Sequence, residues 1–450
     1  MICRPRVLWI VSVFSVLAFN SIILFVLIPG AVNHIRWSYG TDLYPDGYDQ
    51  IATNIAQGNG YRFYPETAET LLREPGYPIL LAGIFLTFGR AFAAVKLVNM
   101  ILAFATAYLM MLIARKLSAS RLVIFGSPLL FIFYPGTLIA ESRGGVEILF
   151  AFMLTLFILS VYSAVRKNRW QDYLVTGGVL GVTVLVRSTP ILFPFVLFGY
   201  LLLFDRRESQ RFAILRNFIA MVVTMLLVLS PWIIRNYSLT GRFVPTSTVL
   251  GVAAHTGLYL STHRAVGNVL LDWDAARQRD QLARELGYNF KAGYYQYFYS
   301  SADELEFSGY LFNKVVHEYR ASPALFIRTV GANLFKFWCG GKTWNSVVMN
   351  AMVQLPFLAS AIVGVIVCVR SDRARDIAPM VLLILYVVGV SIPILAQARY
   401  SEPLTPFLSI LACTAFATAQ RWFNDSKFTL HQARLKSHDL IKGPLLLQKT

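Results

Sequence analysis

Apolar runs long enough to cross a bilayer recur along the whole chain, at 8–29, 91–114, 122–140, 146–165, 217–234, 346–369, 377–396 and 404–420. A helix needs roughly 20 apolar residues to span the hydrocarbon core. In lipid, backbone N–H and C=O groups must be satisfied within a helix or a closed barrel. These runs are continuous rather than alternating, so helices are expected. A further stretch, 173–204, is broken by Arg187-Ser188-Thr189-Pro190 and reads as a hairpin with two short legs. The expected fold is an all-α polytopic membrane helix bundle of about 10 transmembrane helices, with short external or interfacial helices.

Composition agrees. Only 14% of residues are charged and 56% are hydrophobic, whereas a soluble domain carries about 25% charge. The net charge of +17 invites a nucleic-acid reading, which the distribution excludes. The basic residues form short clusters between apolar runs: Arg4/Arg6, Arg115/Lys116/Arg121, Arg166/Lys167/Arg169, Arg206/Arg207/Arg211/Arg216 and Arg370/Arg373/Arg375. That is the pattern of cytoplasmic loops. It places both termini in the cytoplasm, with the first run as an uncleaved signal anchor. Two shorter apolar stretches, 76–89 and 324–339, are expected to be interfacial or re-entrant. Letting either one cross would reverse every later basic loop. Residues 1–420 then form one transmembrane domain with external loops at 30–90 and 235–340. Residues 421–450 form a basic tail that is a solvated end or a contact with anionic membrane lipid. Cys3, Cys339, Cys368 and Cys413 show neither a disulfide framework nor metal spacing.

The first external loop is a hydrophilic island, Thr41 to Pro78, with Asp42, Asp46, Asp49, Arg73 and Glu74. Other ionisable residues fall on the same side: Glu141, Arg143 and Glu147 between two spans, Arg187 at the hairpin tip, Arg235 and Arg242 after 217–234, and Arg399. Charge at membrane depth costs about 2.5–3.5 kcal/mol on insertion scales, so such residues are usually paired or functional. Each alone reads as an interhelical ion pair or a headgroup contact. Together they put carboxylates and guanidinium groups from five segments on one face. Arginine grips phosphate through a bidentate fork, and a neighbouring carboxylate can deprotonate an incoming hydroxyl or amine. The combination points to group transfer from a lipid phosphate. No glycine-rich nucleotide loop, HExxH or CxxC motif is present. His255 and His263 read as loop surface rather than metal ligands. The aromatic run "YNFKAGYYQYFYS", Tyr288 to Ser300, reads equally as an interfacial belt or as a platform for acceptor or lipid.

Several stretches together resemble the GT-C superfamily of polytopic glycosyltransferases, and family 39 with its bacterial relatives, the protein O-mannosyltransferases and lipid A aminoarabinose transferases. They are "DGYDQIATNIAQGNGY" (Asp46 to Tyr61), "REPGYPILLAG" (Arg73 to Gly83), "RAFAAVKLVNMILAF" (Arg90 to Phe104), "VEILFAFMLTL" (Val146 to Leu156), "LVRSTPILFPF" (Leu185 to Phe195), "SPWIIRNYSLTGRFVPTST" (Ser230 to Thr248) and "ARYSEPLTPFL" (Ala398 to Leu408). The resemblance implies a GT-C fold, a polyprenyl-phosphate-linked sugar donor and inverting transfer at the external face of a bacterial-type inner membrane. By motif position, the catalytic base falls on Asp46 with Asp49 second. The Asp46-Gly47-Tyr48-Asp49 spacing is tighter than in relatives with a carboxylate pair there, and Asp42 is a third candidate. Arg73, Arg187, Arg235 and Arg399 fall where relatives bind donor phosphate or carry arginine, with Glu74, Glu147, Tyr48 and Tyr400 in support. No cofactor is assigned with certainty; some relatives bind a divalent metal near the site, and these residues leave that open. The acceptor is a protein, lipid or glycan. The competing reading is a transporter or flippase for a lipid-linked glycan, which calls for inverted repeats and ionisable groups at the bilayer midplane.

Overall fold

The structure, a computed structural model, describes residues 15–27, 46–143, 145–204, 211–263, 271–341 and 343–422. Asp42, Cys3, the start of the first apolar run and the tail beyond 422 lie outside the described residues.

The chain is helical almost throughout. The first helices are α1 (Ser15–Leu27), α2 (Tyr48–Ala56), α3 (Gly76–Phe88) and α4 (Phe92–Leu117). The stretch 122–140, expected as one span, is broken instead. Leu122–Ile132 (α5) and Pro135–Arg143 (α6) meet at 47°, because Tyr134 precedes a proline and is pushed out of the helical region. Then come α7 (Glu147–Lys167), α8 (Trp170–Val186) and α9 (Phe193–Phe204), the last two separated by Arg187-Ser188 and a 3₁₀ turn. The long α10 (Arg211–Thr240) overruns the expected 217–234 at both ends. Residues 249–339 hold α11 (Val249–Thr262), α12 (Leu271–Glu285), α13 (Ser301–Ala321) and α14 (Pro323–Cys339). They also hold a two-residue antiparallel ladder, β1 (Phe290–Lys291) and β2 (Tyr297–Phe298), in which Phe290 faces Phe298. The chain closes with α15 (Trp344–Arg370), α16 (Ala374–Ser391), two 3₁₀ turns and α17 (405–422).

Among the described residues six helices are long and apolar enough to span a membrane, or seven if the bent pair counts as one. The remaining apolar helices, α1, α3, α8 and the 189–204 segment, are shorter. Many large apolar side chains face outward, including Phe88, Leu203, Phe212, Leu227 and Met352. Such a surface is stable against lipid tails and not against water. Inside the bundle, α8 and α10 approach closely at Gly177 and Gly181, where an added Cβ would overlap the Met221 carbonyl and the Val228 side chain. Small residues four apart let two membrane helices touch backbone to backbone.

Two cores result. The large one fills the bundle, around Leu154, Phe157, Leu180, Met380, Leu383 and Phe407. A second, aromatic core caps one end of it. Ile51, Tyr61, Phe63 and Leu72 from the first loop pack there against Tyr295, Tyr297, Phe298, Phe307 and Leu311. Within the aromatic run, Tyr295, Gln296, Tyr297 and Phe298 are buried, three of them in this clamp, while Tyr299 stays exposed. α7 fixes the polarity: it starts at Glu147 beside this cap and ends at Arg166/Lys167, about 30 Å away at 1.5 Å per residue.

Glu304 of α13 stitches the cap together. Its buried carboxylate accepts hydrogen bonds from Thr70 Oγ1 (2.7 Å), Leu71 N (2.9 Å) and Thr248 Oγ1 (2.8 Å). Glu304→Ala would strand three buried donors and is expected to cost about 3–5 kcal/mol, read as a lower melting temperature in detergent. Glu304→Gln keeps an acceptor and is expected to lose less. An unchanged melting temperature in Glu304→Ala would show that the two loops are not held through this residue.

Candidate active site

Asp46 sits where the first loop enters α2. The next residue, Gly47, has φ 72°, and a Cβ there would overlap the Phe63 ring. Only glycine takes this conformation at no cost. The kink turns the Asp46 side chain toward the end of the bundle while Tyr48 drops into the core. Gly47→Ala is expected to destabilise the cap by about 1–3 kcal/mol and to lower turnover by displacing Asp46. Unchanged stability and activity would show the kink to be dispensable.

The Asp46 carboxylate is held by two guanidinium groups. Arg399, in the 3₁₀ turn Ala398–Tyr400, grips both oxygens: Nη1 meets Oδ2, and Nη2 lies 3.1 Å from Oδ1. Arg73 Nη2 is 3.5 Å from Oδ1, and Arg73 Nε donates to the Asp46 carbonyl at 3.1 Å. Arg73 is sandwiched between the Tyr48 and Tyr295 rings, each 5.0 Å from the guanidinium carbon, and also donates to the Tyr295 hydroxyl. Cation–π contacts of this kind strengthen as the cation is desolvated. Arg399 Nε donates to Gln397 Oε1 at 2.8 Å, and Glu147 Oε1 lies 3.8 Å from its Nη1.

Burial pushes the Asp46 pKa up, but the charges of Arg399 and Arg73 outweigh it and hold the carboxyl below its ordinary 3.8. A lowered folded-state pKa means that the stabilisation is complete above 3.8 and is lost as pH falls through the depressed value. Asp46 is therefore ionised throughout the neutral range.

Arg187 caps the C-terminus of α8, with its guanidinium 4.4 Å from the Tyr400 ring centroid and 5.8 Å from that of Phe150. Its charge also acts on Asp46. Its backbone N–H donates to the Thr183 carbonyl at 3.0 Å, while among the described residues its side chain makes no hydrogen bond or ion pair. Glu74 accepts from Ser188 N (3.2 Å) and Ser247 Oγ (3.0 Å), tying the first loop to the hairpin turn and to the segment after α10. Asp46, Arg73, Arg399, Glu147, Tyr48, Arg187 and Tyr400 thus gather from five parts of the chain.

Two other candidates are engaged elsewhere. Asp49, buried in the first turn of α2, is ion-paired at 2.6 Å with Arg90, whose side chain is 42% exposed. Arg235, put forward for donor phosphate, is ion-paired with Glu69 at 2.9 Å, donates to the Thr70 carbonyl at 3.0 Å and packs on Trp232 and Tyr61. It anchors the first loop to α10. His255, read from sequence as loop surface, is buried in α11. Burial, with the charges of Arg279 and Lys314, lowers its pKa to about 3, so it stays neutral.

Sequence reasoning missed Tyr295, Gln397 and Arg279. Arg279 is fully buried in α12 and donates to Thr256 Oγ1 (2.7 Å), Gln296 Oε1 (3.2 Å) and the Tyr294 carbonyl (3.0 Å), which ties down both neighbours of Tyr295. A buried arginine and a tyrosine within an aromatic run carry no local signal of this. Among the described residues no group of three or more His, Cys, Asp or Glu is placed to hold a metal ion. Both Asp46 oxygens face guanidinium groups, a setting that repels a cation.

No curated protein matches the chain. A profile of the dolichyl-phosphate-mannose-protein mannosyltransferase family matches residues 73–234, roughly a third of the chain. The matched part contains Arg73, Glu74, Glu147 and Arg187; Asp46, Arg235 and Arg399 lie outside it. The chain resembles GT-C glycosyltransferases of family 39, and the match supports a membrane glycosyltransferase of the mannosyltransferase type.

Proposed function

We propose that the protein transfers a sugar from a polyprenyl-phosphate-linked donor to a nucleophilic acceptor, with Asp46 as general base. The observation that carries this reading is the seat of Asp46 between Arg399 and Arg73, with Arg187 alongside. A carboxylate and three guanidinium groups supply both requirements of the reaction: a proton acceptor, and fixed positive charge for a departing phosphate. The acceptor hydroxyl or amine attacks the anomeric carbon and its proton passes to Asp46. The bond from that carbon to the phosphate oxygen breaks, and the electron pair leaves on phosphate against Arg399, Arg73 and Arg187. One displacement inverts the anomeric centre.

The site lies at the end of the bundle opposite Arg166/Lys167 and Arg370/Arg373/Arg375. Basic loops mark the cytoplasmic side, so we assign the site to the external face of the plasma membrane. The polyprenyl chain would lie in lipid while its phosphate reaches the guanidinium groups. The acceptor would approach on the side of the cap built by residues 46–75, 241–263 and 271–300.

The test is purified protein in proteoliposomes with a polyprenyl-phosphate sugar labelled in the sugar. Transfer to an acceptor fraction, with release of polyprenyl phosphate, is expected. Movement of intact donor between leaflets without cleavage would replace this reading with a flippase.

A further inference from the structure

Asp46 poses a chemical problem as a base. A carboxylate gripped by one arginine fork and a second guanidinium is stabilised as the anion, and the lower its pKa, the weaker its pull on an acceptor proton. The way the two arginines are held resolves this. Arg399 is anchored from behind, Nε to Gln397 Oε1 at 2.8 Å. Arg73 is anchored by Nε to the Asp46 carbonyl at 3.1 Å, by the Tyr295 hydroxyl and by two aromatic faces. None of these anchors is the Asp46 carboxylate. Both guanidinium groups therefore keep their positions if the carboxylate leaves, and both present N–H groups to the volume it occupies.

That volume suits a phosphate, which takes arginine forks as a carboxylate does and carries comparable or greater charge. The carboxyl groups already facing the site are those of Glu74, Glu147 and Glu402, set beside Arg73, Arg187 and Arg399. Tyr48 and Tyr295, both kept neutral by burial, complete the wall.

Building on the function proposed above, we propose that the donor phosphate binds in the seat now filled by the Asp46 carboxylate, so that donor and base compete for Arg399 and Arg73. Donor binding expels Asp46 from the fork and puts a new negative charge next to it. Both changes raise its proton affinity. The base is thus restrained in the empty enzyme and becomes competent when the donor arrives. Arg187, which makes no ion pair among the described residues, supplies the third cation once Asp46 has moved. An exposed base with no donor present would have nothing productive to deprotonate.

The test is binding, not turnover. Affinity for polyprenyl phosphate is measured in detergent for wild type, Asp46→Asn, Asp46→Ser and the charge-loss control Asp172→Asn, a carboxylate that pairs with Lys167 at the other end of the bundle. Neutral polyprenol is the probe that lacks the anion. Competition predicts that both Asp46 variants bind polyprenyl phosphate at least about tenfold more tightly than wild type, while the affinity of Asp172→Asn and every polyprenol affinity stay unchanged. Without ligand, the Asp46 variants should melt below wild type, because two guanidinium groups then face each other uncompensated; polyprenyl phosphate should raise their melting temperature by more than it raises that of wild type. Folded Asp46 variants that bind polyprenyl phosphate no more tightly than wild type would overturn the competition and leave the proposed function standing. Equal tightening toward polyprenol would overturn it too, as the gain would not come from freed charge. A wild type that binds no polyprenyl phosphate would remove the proposed donor, and the competition with it.

Discussion

Asp46→Asn is expected to fold and to lose about 10²–10⁴-fold in sugar transfer, the range a positioned general base contributes. Asparagine keeps the shape and can still accept a hydrogen bond from Arg399 or Arg73, but it cannot take the acceptor proton. The loss should therefore fall on turnover, while donor binding survives. Asp49→Asn is the informative partner experiment. Asp49 is ion-paired with Arg90 rather than seated in the Arg399 fork, so its replacement should cost stability before chemistry. Near-normal turnover in Asp46→Asn together with its loss in Asp49→Asn would move the base to Asp49 and leave the Asp46 cluster with a structural role.

Arg399→Gln is expected to lower turnover by about 10²–10³-fold, the usual cost of removing one preorganised group from developing negative charge. Arg399 faces Asp46 through both terminal nitrogens, and we place the leaving phosphate in the same fork. Arg399→Lys keeps the charge and loses the fork, so partial recovery is expected. Labelled-donor turnover measured at saturating and limiting donor separates the two contributions: loss of charge against the leaving group lowers kcat, and loss of a ground-state contact raises KM. Full activity in Arg399→Gln would leave Arg73 and Arg187 as the phosphate ligands and would contradict the proposed mechanism.

The sequence made some of the site legible and hid the rest, for a common reason. Asp46, Arg73 and Arg399 stood out because ionisable groups are expensive beside a membrane and so carry meaning wherever they occur. That they gather on one side was an expectation drawn from hydropathy and basic loops. Which carboxylate takes which arginine could not be read from them. Asp49 stood second to Asp46, and Arg235 stood beside Arg399 as a phosphate ligand; only the packing of α2 and α10 pairs them with Arg90 and Glu69. Tyr295 and Gln397 act by orienting arginines that are remote in sequence or two residues away. Neutral polar residues in aromatic or turn segments have many roles, and composition does not separate them. The break at Tyr134-Pro135 was written in the chain as a proline, yet the hydropathy of 122–140 masked it.

By itself, then, the sequence determined that this chain is a membrane helix bundle with acidic and basic groups gathered toward one end. Lipid forces every spanning segment to satisfy its own backbone, and that leaves a strong one-dimensional signal. Tertiary structure decided which of those groups meet. A guanidinium finds its carboxylate through contacts between segments hundreds of residues apart, as Arg399 finds Asp46, and the outcome depends on helix packing that no local pattern encodes.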